Sequence, residues 1–251
     1  MLQSATYYST KSLQQKYRML VVEPEEALAQ ILIKHLEYCG FRVFMARTES
    51  EGLMLLQQQG LPHLAMVDIR MALQPEFTFC KRIKQFTDLP VIMLVEQHDT
   101  PNLETTGCSS VDFLSIRPLK TLELLAQIQR ILQKVGNFAY LLDNYIEIDQ
   151  RLRVNLATCQ AMVNHQIVNL TPIENKILHI LIRDAGQIVT TRVLLNKLAL
   201  TSELNESGLT SHFASLRYKL EINPLDPQYL LSQAGIGYCF APMSHQQTIL
   251  E

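Results

Sequence analysis

Acidic residues gather where short apolar runs end. Met19–Val22 leads into Glu23, Pro24, Glu25 and Glu26, His63–Val67 into Asp68, Val91–Val95 into Glu96, and Phe113–Ile116 into Arg117 and Pro118. If these runs are parallel strands, the acids and the arginine share one edge of a sheet, because reactive groups of open α/β sheets lie beyond the carboxyl ends of the strands. That edge offers carboxylate chemistry beside a fixed cation. The plainer reading is that Glu23, Glu25 and Glu26 are acids favoured in a first helical turn. No nucleophile with an adjacent base and no cofactor loop can be found, so the chain is expected not to be an enzyme. His35, His63, His165 and His179 have no acid or cysteine at ligand or triad spacing and are read as surface or helix residues. Cys39, Cys80, Cys108, Cys159 and Cys239 are too widely spaced for a zinc site or disulfide framework, so neither metal nor cofactor is expected.

The elements that must position these groups follow from periodicity. Tyr17 to Val135 alternates short apolar runs with helical segments near Ala27–Tyr38, Ser50–Gln59, Phe77–Phe86, Asn102–Thr106 and Thr121–Lys134, the pattern of parallel strands joined by helical crossovers. In the last of these, Leu122, Leu125, Ile128 and Leu132 are expected to pack against the sheet. After Gly136 the pattern changes to the alternating stretches Tyr145–Asp149 and Arg151–Asn155, read as half-exposed antiparallel strands. Thr171, Pro172 and Glu174 then supply a capping box opening a helix, a second helix runs to Leu198, a third spans Leu209–Glu221, and Tyr229–Phe240 reads as a hairpin. The fold class is therefore α/β, a five-stranded doubly wound parallel sheet, followed by an α+β domain. The expected divisions are a flexible extension over 1–16, a first domain over 17–136, a linker over 137–141, a second domain over 142–243 and a tail over 244–251. With 47% hydrophobic and 18% charged residues over 251 positions, the composition is globular. The polar opening Met1–Lys16 resembles no secretory segment and no apolar run reaches bilayer length, so a cytoplasmic location and no membrane partner are expected.

The fragments RMLVVEPEE, LAMVDIRM, LPVIMLV and DFLSIRPL over Tyr17–Val135 resemble a response-regulator receiver domain. The resemblance implies phosphoryl acceptance at Asp68, with Mg²⁺ held by that aspartate and an acidic pair after the first strand. Here the pair is Glu23 and Pro24, and proline has no side-chain oxygen for a cation that demands near-ideal oxygen ligands. Val95 stands where a hydroxyl would contact the phosphoryl group, and Arg117 where a lysine would pair with it. Three of five functional positions are altered, and the receiver is expected to be degenerate. Asp68 is read as an inherited strand-end acid, neutral or paired with Arg117, rather than as an acceptor.

The fragments NLTPIENKILHILIRDAGQIVTTRVLLNKL, HFASLRYKLE and GIGYCF resemble the winged helix-turn-helix effector of the OmpR/PhoB group. Leu209, Phe213, Leu216 and Leu220 form one stripe of the third helix. Ser207, Ser211, Ala214, Ser215 and Tyr218 lie opposite, flanked by His212, Arg217 and Lys219. The resemblance implies that this helix enters a major groove and the hairpin acts as a wing, with Ser207, Thr210, Ser211, His212, Ser215, Arg217, Lys219, Ser232 and Gln233 as the DNA-binding set. The net charge of −2, and eight Lys and Arg against ten Asp and Glu over Ala139–Glu251, predict weak or dimer-dependent binding.

The expected function is DNA-binding transcription regulation of the OmpR/PhoB, two-component kind, independent of phosphorylation. Its alternatives are a conventional regulator phosphorylated on Asp68 and an interaction adaptor with little DNA affinity. The implied partners are double-stranded promoter DNA, a second copy through the receiver's fourth helix, fifth strand and fifth helix, with Asp112 and Arg130 contributing, and RNA polymerase or a regulatory protein.

Overall fold

The computed structural model describes residues 17–71, 79–96, 112–117, 121–135, 145–199 and 204–241. They divide into two compact units, one formed by the chain to Lys84 and from Leu89, the other by Gln85–Asp88 and the chain from Tyr145. The expected helix Asn102–Thr106, the extension, the linker and the tail all lie outside the described residues.

In the first unit, β1 (Arg18–Val22), β2 (Arg42–Ala46), β3 (Leu64–Asp68), β4 (Val91–Val95) and β5 (Phe113–Ile116) form one parallel sheet in the order β2-β1-β3-β4-β5. β1, β3 and β4 are buried along their whole length, which explains their unbroken apolar sequences: both faces are covered. Met19, Val21, Leu64, Met66, Ile92 and Leu94 turn to one face and pack with α1 (Glu26–Tyr38) and the later helix Thr121–Val135. The alternate residues face the side of α2 (Glu49–Gln59) and α3 (Phe79–Phe86). There Gly52 approaches so closely that an added Cβ would lie 2.8 Å from the Phe79 ring.

The helix over Thr121–Val135, α4, corrects one expectation. Its buried stripe is Leu124, Ile128, Ile131 and Leu132, with Leu125 at the edge, whereas Leu122 is 83% exposed. At 100° per residue Leu122 lies about 120° round from Ile128, too far to reach the sheet. His63 is neither superficial nor helical: it is buried, and its Nδ1 accepts the Arg18 backbone N–H at 3.0 Å, whereas His179 lies on a helix as expected but is buried. Asp112 is engaged inside the unit, its Oδ2 accepting from Lys84 Nζ and Val91 N at 2.8 Å each and so tying α3 to β4.

The second unit opens with an antiparallel sheet of β6 (Ile146–Glu147), β7 (Leu152–Asn155), β8 (Gln160–Val163) and β9 (Gln166–Asn169). Three helices follow: α5 (Pro172–Arg183), α6 (Thr191–Leu198) and α7 (Glu206–Leu220). A three-stranded sheet, β10-β12-β11, joins β10 (Val189–Thr190) to the closing hairpin of β11 (Leu230–Gln233) and β12 (Gly237–Phe240). The first two helices begin where the sequence signals them, with Thr171 and Thr190 as N-caps and a complete capping box at Thr171 and Glu174, whereas the third starts at Glu206, three residues before the expected Leu209, because Asn205 caps it. Gly237 is required by close packing, since a Cβ there would fall 2.2 Å from the Val189 carbonyl oxygen.

Candidate functional site

Strand order reverses beside β1, and the end of that strand places Glu23 next to Asp68 at the end of β3. Both carboxylates are buried. The residue that decides their chemistry is Arg70, which no spacing in the sequence singles out. It sits on a single 3₁₀ turn, Ile69–Met71, that bends the chain back over the strand end. Arg70 donates its backbone N–H and Nε to Asp68 Oδ1 at 2.8 Å each, and its Nη2 to Asp68 Oδ2 at 3.1 Å. The same Nη2 donates to Glu23 Oε1 at 2.7 Å, and Nη1 to Glu25 Oε2 at 3.2 Å. From the other side Arg117, following β5, pairs its Nη2 with Asp68 Oδ2 at 2.9 Å and with Glu23 Oε2, and its Nη1 with Glu96 at 3.3 Å.

An ionised carboxylate offers about four lone-pair positions. Asp68 accepts three N–H groups, all from Arg70, and its Oδ2 also lies 2.9 Å from Arg117 Nη2, so both oxygens are engaged by guanidinium groups. Glu23 receives Arg70, Arg117 and the Glu25 backbone N–H, the last at 3.0 Å. Two buried acids are thus matched by two guanidinium groups, as partially buried charge requires. Burial by itself would raise the Asp68 pKa, but the hydrogen bonds of Arg70 and the charge of Arg117 outweigh it and hold the carboxyl below its ordinary range. For Glu23 burial prevails and the pKa is raised. Mg²⁺ does not fit these residues as they stand: the second acid is Pro24, and the three carboxylates that could approach a cation all hold Arg70. The buried Val95 side chain offers no hydroxyl.

In the second unit the buried stripe of α7 is Leu209, Phe213, Leu216 and Leu220, as its spacing predicts. The Phe213 ring stacks on Tyr238 of the hairpin at a centroid separation of 3.5 Å. Ser207, Thr210, Ser211, Ala214 and Tyr218 are exposed, while His212 is half-buried. Three members of the expected DNA-binding set turn inward. Ser215 Oγ donates to Glu174 Oε1 and Lys219 Nζ to Glu174 Oε2, each at 2.6 Å, and Lys219 also reaches the Asn169 carbonyl at 3.1 Å. Arg217 gives Nε and Nη2 to the Leu230 carbonyl at 2.9 and 2.7 Å. A helical wheel locates a Cβ, but it does not determine which way a long side chain folds.

Two acids organise these contacts. Glu174, buried in α5, closes the capping box and accepts both α7 side chains, and Lys219 and Ser215 bring its pKa below the ordinary value against the effect of burial. Glu221 accepts the backbone N–H groups of Gln228, Tyr229 and Leu230 at 2.8–2.9 Å, fixing the start of the hairpin to the end of α7. At the tip, Ser232, Gln233, Ala234, Gly235 and Ile236 are exposed, and Gly235 takes φ +71°.

The family described as Transcriptional regulatory protein, C terminal matches residues 164–240, from the β8–β9 turn to the end of the hairpin. Over nearly the whole chain the KDP operon transcriptional regulatory protein KdpE of Escherichia coli (strain K12) is 30% identical across 224 residues, covering 88% of this chain and 98% of KdpE. The chain belongs to the OmpR/PhoB-type response regulators. Other relatives of the regulator include "Probable transcriptional regulator ycf27" of Galdieria sulphuraria, 27% identical with 91% and 92% coverage, and regulatory protein VanR of Enterococcus faecium, 26% identical with 88% and 97% coverage. The parallel sheet of the regulator is the receiver, and its three-helix unit with the closing hairpin is the winged effector. Among the described residues no helix is long and apolar enough to cross a membrane.

Proposed function

We propose that this regulator binds promoter DNA in the cytoplasm as a homodimer, through α7 and the 230–240 wing, and that its receiver works without phosphoryl transfer to Asp68. The receiver then spans 17–136, a short linker 137–141 and the effector 142–243. The observation that carries the reading is the engagement of Asp68 by three N–H donors of Arg70 and by the Arg117 guanidinium 2.9 Å away. To accept a phosphoryl group Asp68 must release at least one of them, while Pro24 and Val95 supply nothing to the cation and phosphoryl group that would replace it. Control of the regulator then lies in its abundance or in a partner or small ligand at the receiver.

The test is a mobility-shift titration of the full chain on selected promoter duplexes, before and after treatment with acetyl phosphate and Mg²⁺. Sequence-selective binding with unchanged affinity is expected. Binding that tightens on treatment and loses that response in Asp68→Ala contradicts the reading, and absence of any sequence preference as salt rises contradicts DNA recognition itself.

A further inference from the structure

The second unit carries eight lysines and arginines, and all eight lie among the described residues. Six are held by acceptors within that unit. Arg217 gives two N–H groups to the Leu230 carbonyl, and Lys219 pairs with the buried Glu174. Arg183 and Lys197 share the Asp88 carboxylate, and Arg151 donates to the Leu220 carbonyl at 2.7 Å and the Tyr229 hydroxyl at 3.1 Å. Arg153 pairs with Glu147 at 3.2 Å. Lys176 is buried in α5. Arg192 differs from all of these: it is exposed in the first turn of α6, and its guanidinium meets no acceptor among the described residues.

Arg192 stands beside the wing. The strand before it, β10, pairs with β12, so that Thr190 lies opposite Gly237, and the Thr191 backbone N–H donates to the Ile236 carbonyl at 3.1 Å. No acid shares its helical turn. A guanidinium presents its N–H donors in a fork that fits two oxygens of one phosphate. A cation already bound to a protein acceptor adds to duplex binding only by abandoning that acceptor, and for Lys219 this would strand the buried Glu174 carboxylate. The loosest hold of the six is the surface pair of Arg153 and Glu147, each nearly half exposed.

We infer that Arg192 is the phosphate anchor of the effector: in each protomer its guanidinium clasps one backbone phosphate beside the wing, while the other seven cations stay on the protein. The inference rests on the promoter binding proposed above and names the residue that supplies its ionic part. One phosphate contact per protomer gives a shallow dependence on salt. For a homodimer the slope of log affinity against log salt is about −1.8, which makes binding about twelvefold weaker for a fourfold rise in salt.

Mobility-shift titrations of the full chain on a selected promoter duplex, over a fourfold range of salt, test it. Arg192→Ala should flatten the slope from about −1.8 to near zero while keeping the sequence preference, and Arg192→Lys, which keeps the charge, should retain most of the slope. Arg153→Ala should leave the slope unchanged. An unchanged slope in Arg192→Ala, an equal fall in Arg153→Ala, or a slope beyond about −4 in the unaltered regulator, the mark of four or more phosphate contacts, overturns the inference while leaving DNA recognition standing. Failure of the unaltered regulator to prefer any sequence overturns the proposed function instead.

Discussion

The receiver pocket and the recognition helix dispose of their cations in the same way with opposite consequences. Arg70 and Arg117 fold onto Glu23, Asp68 and neighbouring acids, and Arg217 and Lys219 fold onto a carbonyl and Glu174. In the receiver this ties two guanidinium groups to the buried carboxylates at the strand ends. In the effector it secures α7 to α5 and to the hairpin, and it clears the outward face of charge. The same residue types thus seal one surface and leave another uncharged, and the difference lies in what surrounds them: buried acids in the first case, a solvent-facing helix in the second.

The comparison is broken most severely at Arg117. It is nearly buried and pairs with two buried carboxylates, so Arg117→Ala should cost about 3–5 kcal/mol in urea unfolding, because removing one partner strands the other charges. Glu174→Ala should cost about 2–3 kcal/mol through the lost cap and the lost charge-assisted bonds to Ser215 and Lys219. Releasing Lys219 should also steepen the slope of log affinity against log salt by about 0.9 if the freed ammonium meets a phosphate.

Acid separates the two units. Asp68, Asp149 and Glu174 have depressed pKa values, lowered against burial by Arg70, by Tyr229 and by Lys219 respectively, so each contributes stability that is present above its unfolded pKa and is lost as pH falls through the folded value, below about pH 4. Glu23, raised by burial, has the opposite sign: its contribution favours folding at low pH and is lost as pH rises through its folded value. It offsets Asp68 in the receiver, and no shifted carboxylate among the described residues offsets Asp149 and Glu174. Hydrogen exchange followed from pH 5 to pH 3, corrected for intrinsic rates, should show the effector losing protection first; simultaneous loss removes this distinction. The smallest effect on stability belongs to Arg70→Met, about 1 kcal/mol because its guanidinium is partly solvated. It sharpens the comparison by a gain: with Glu25 freed and Glu23 and Asp68 held by Arg117 alone, Mn²⁺ binding detectable by water-proton relaxation should be stronger than in the unaltered regulator.

Much of this architecture is legible in the order of residues alone. β1, β3 and β4 announce themselves as unbroken apolar runs because both faces are covered, and α7 by a stripe that is buried to the last residue. Substitutions at Pro24, Val95 and Arg117 are equally visible, since what matters is the atoms those residues lack. The β8–β9 hairpin escapes notice because its turn is Asn164–His165, both at positive φ, in place of the glycine that usually marks such a turn. Arg70 escapes for a different reason: in an extended chain it would share a face with Asp68 but run on past the strand end, and the 3₁₀ turn folds its guanidinium back over the carboxylate. Glu174 is readable as a cap, but its hold on Ser215 and Lys219 spans more than forty residues.

The central claim is that the guanidinium groups of Arg70 and Arg117 have made Asp68 unable to act as an acceptor. Incubation of the full chain with acetyl phosphate and Mg²⁺, resolved on a phosphate-affinity gel beside Asp68→Ala, tests it most directly. The account predicts a single unshifted band in both lanes; a retarded band in the unaltered regulator that disappears in Asp68→Ala would contradict it.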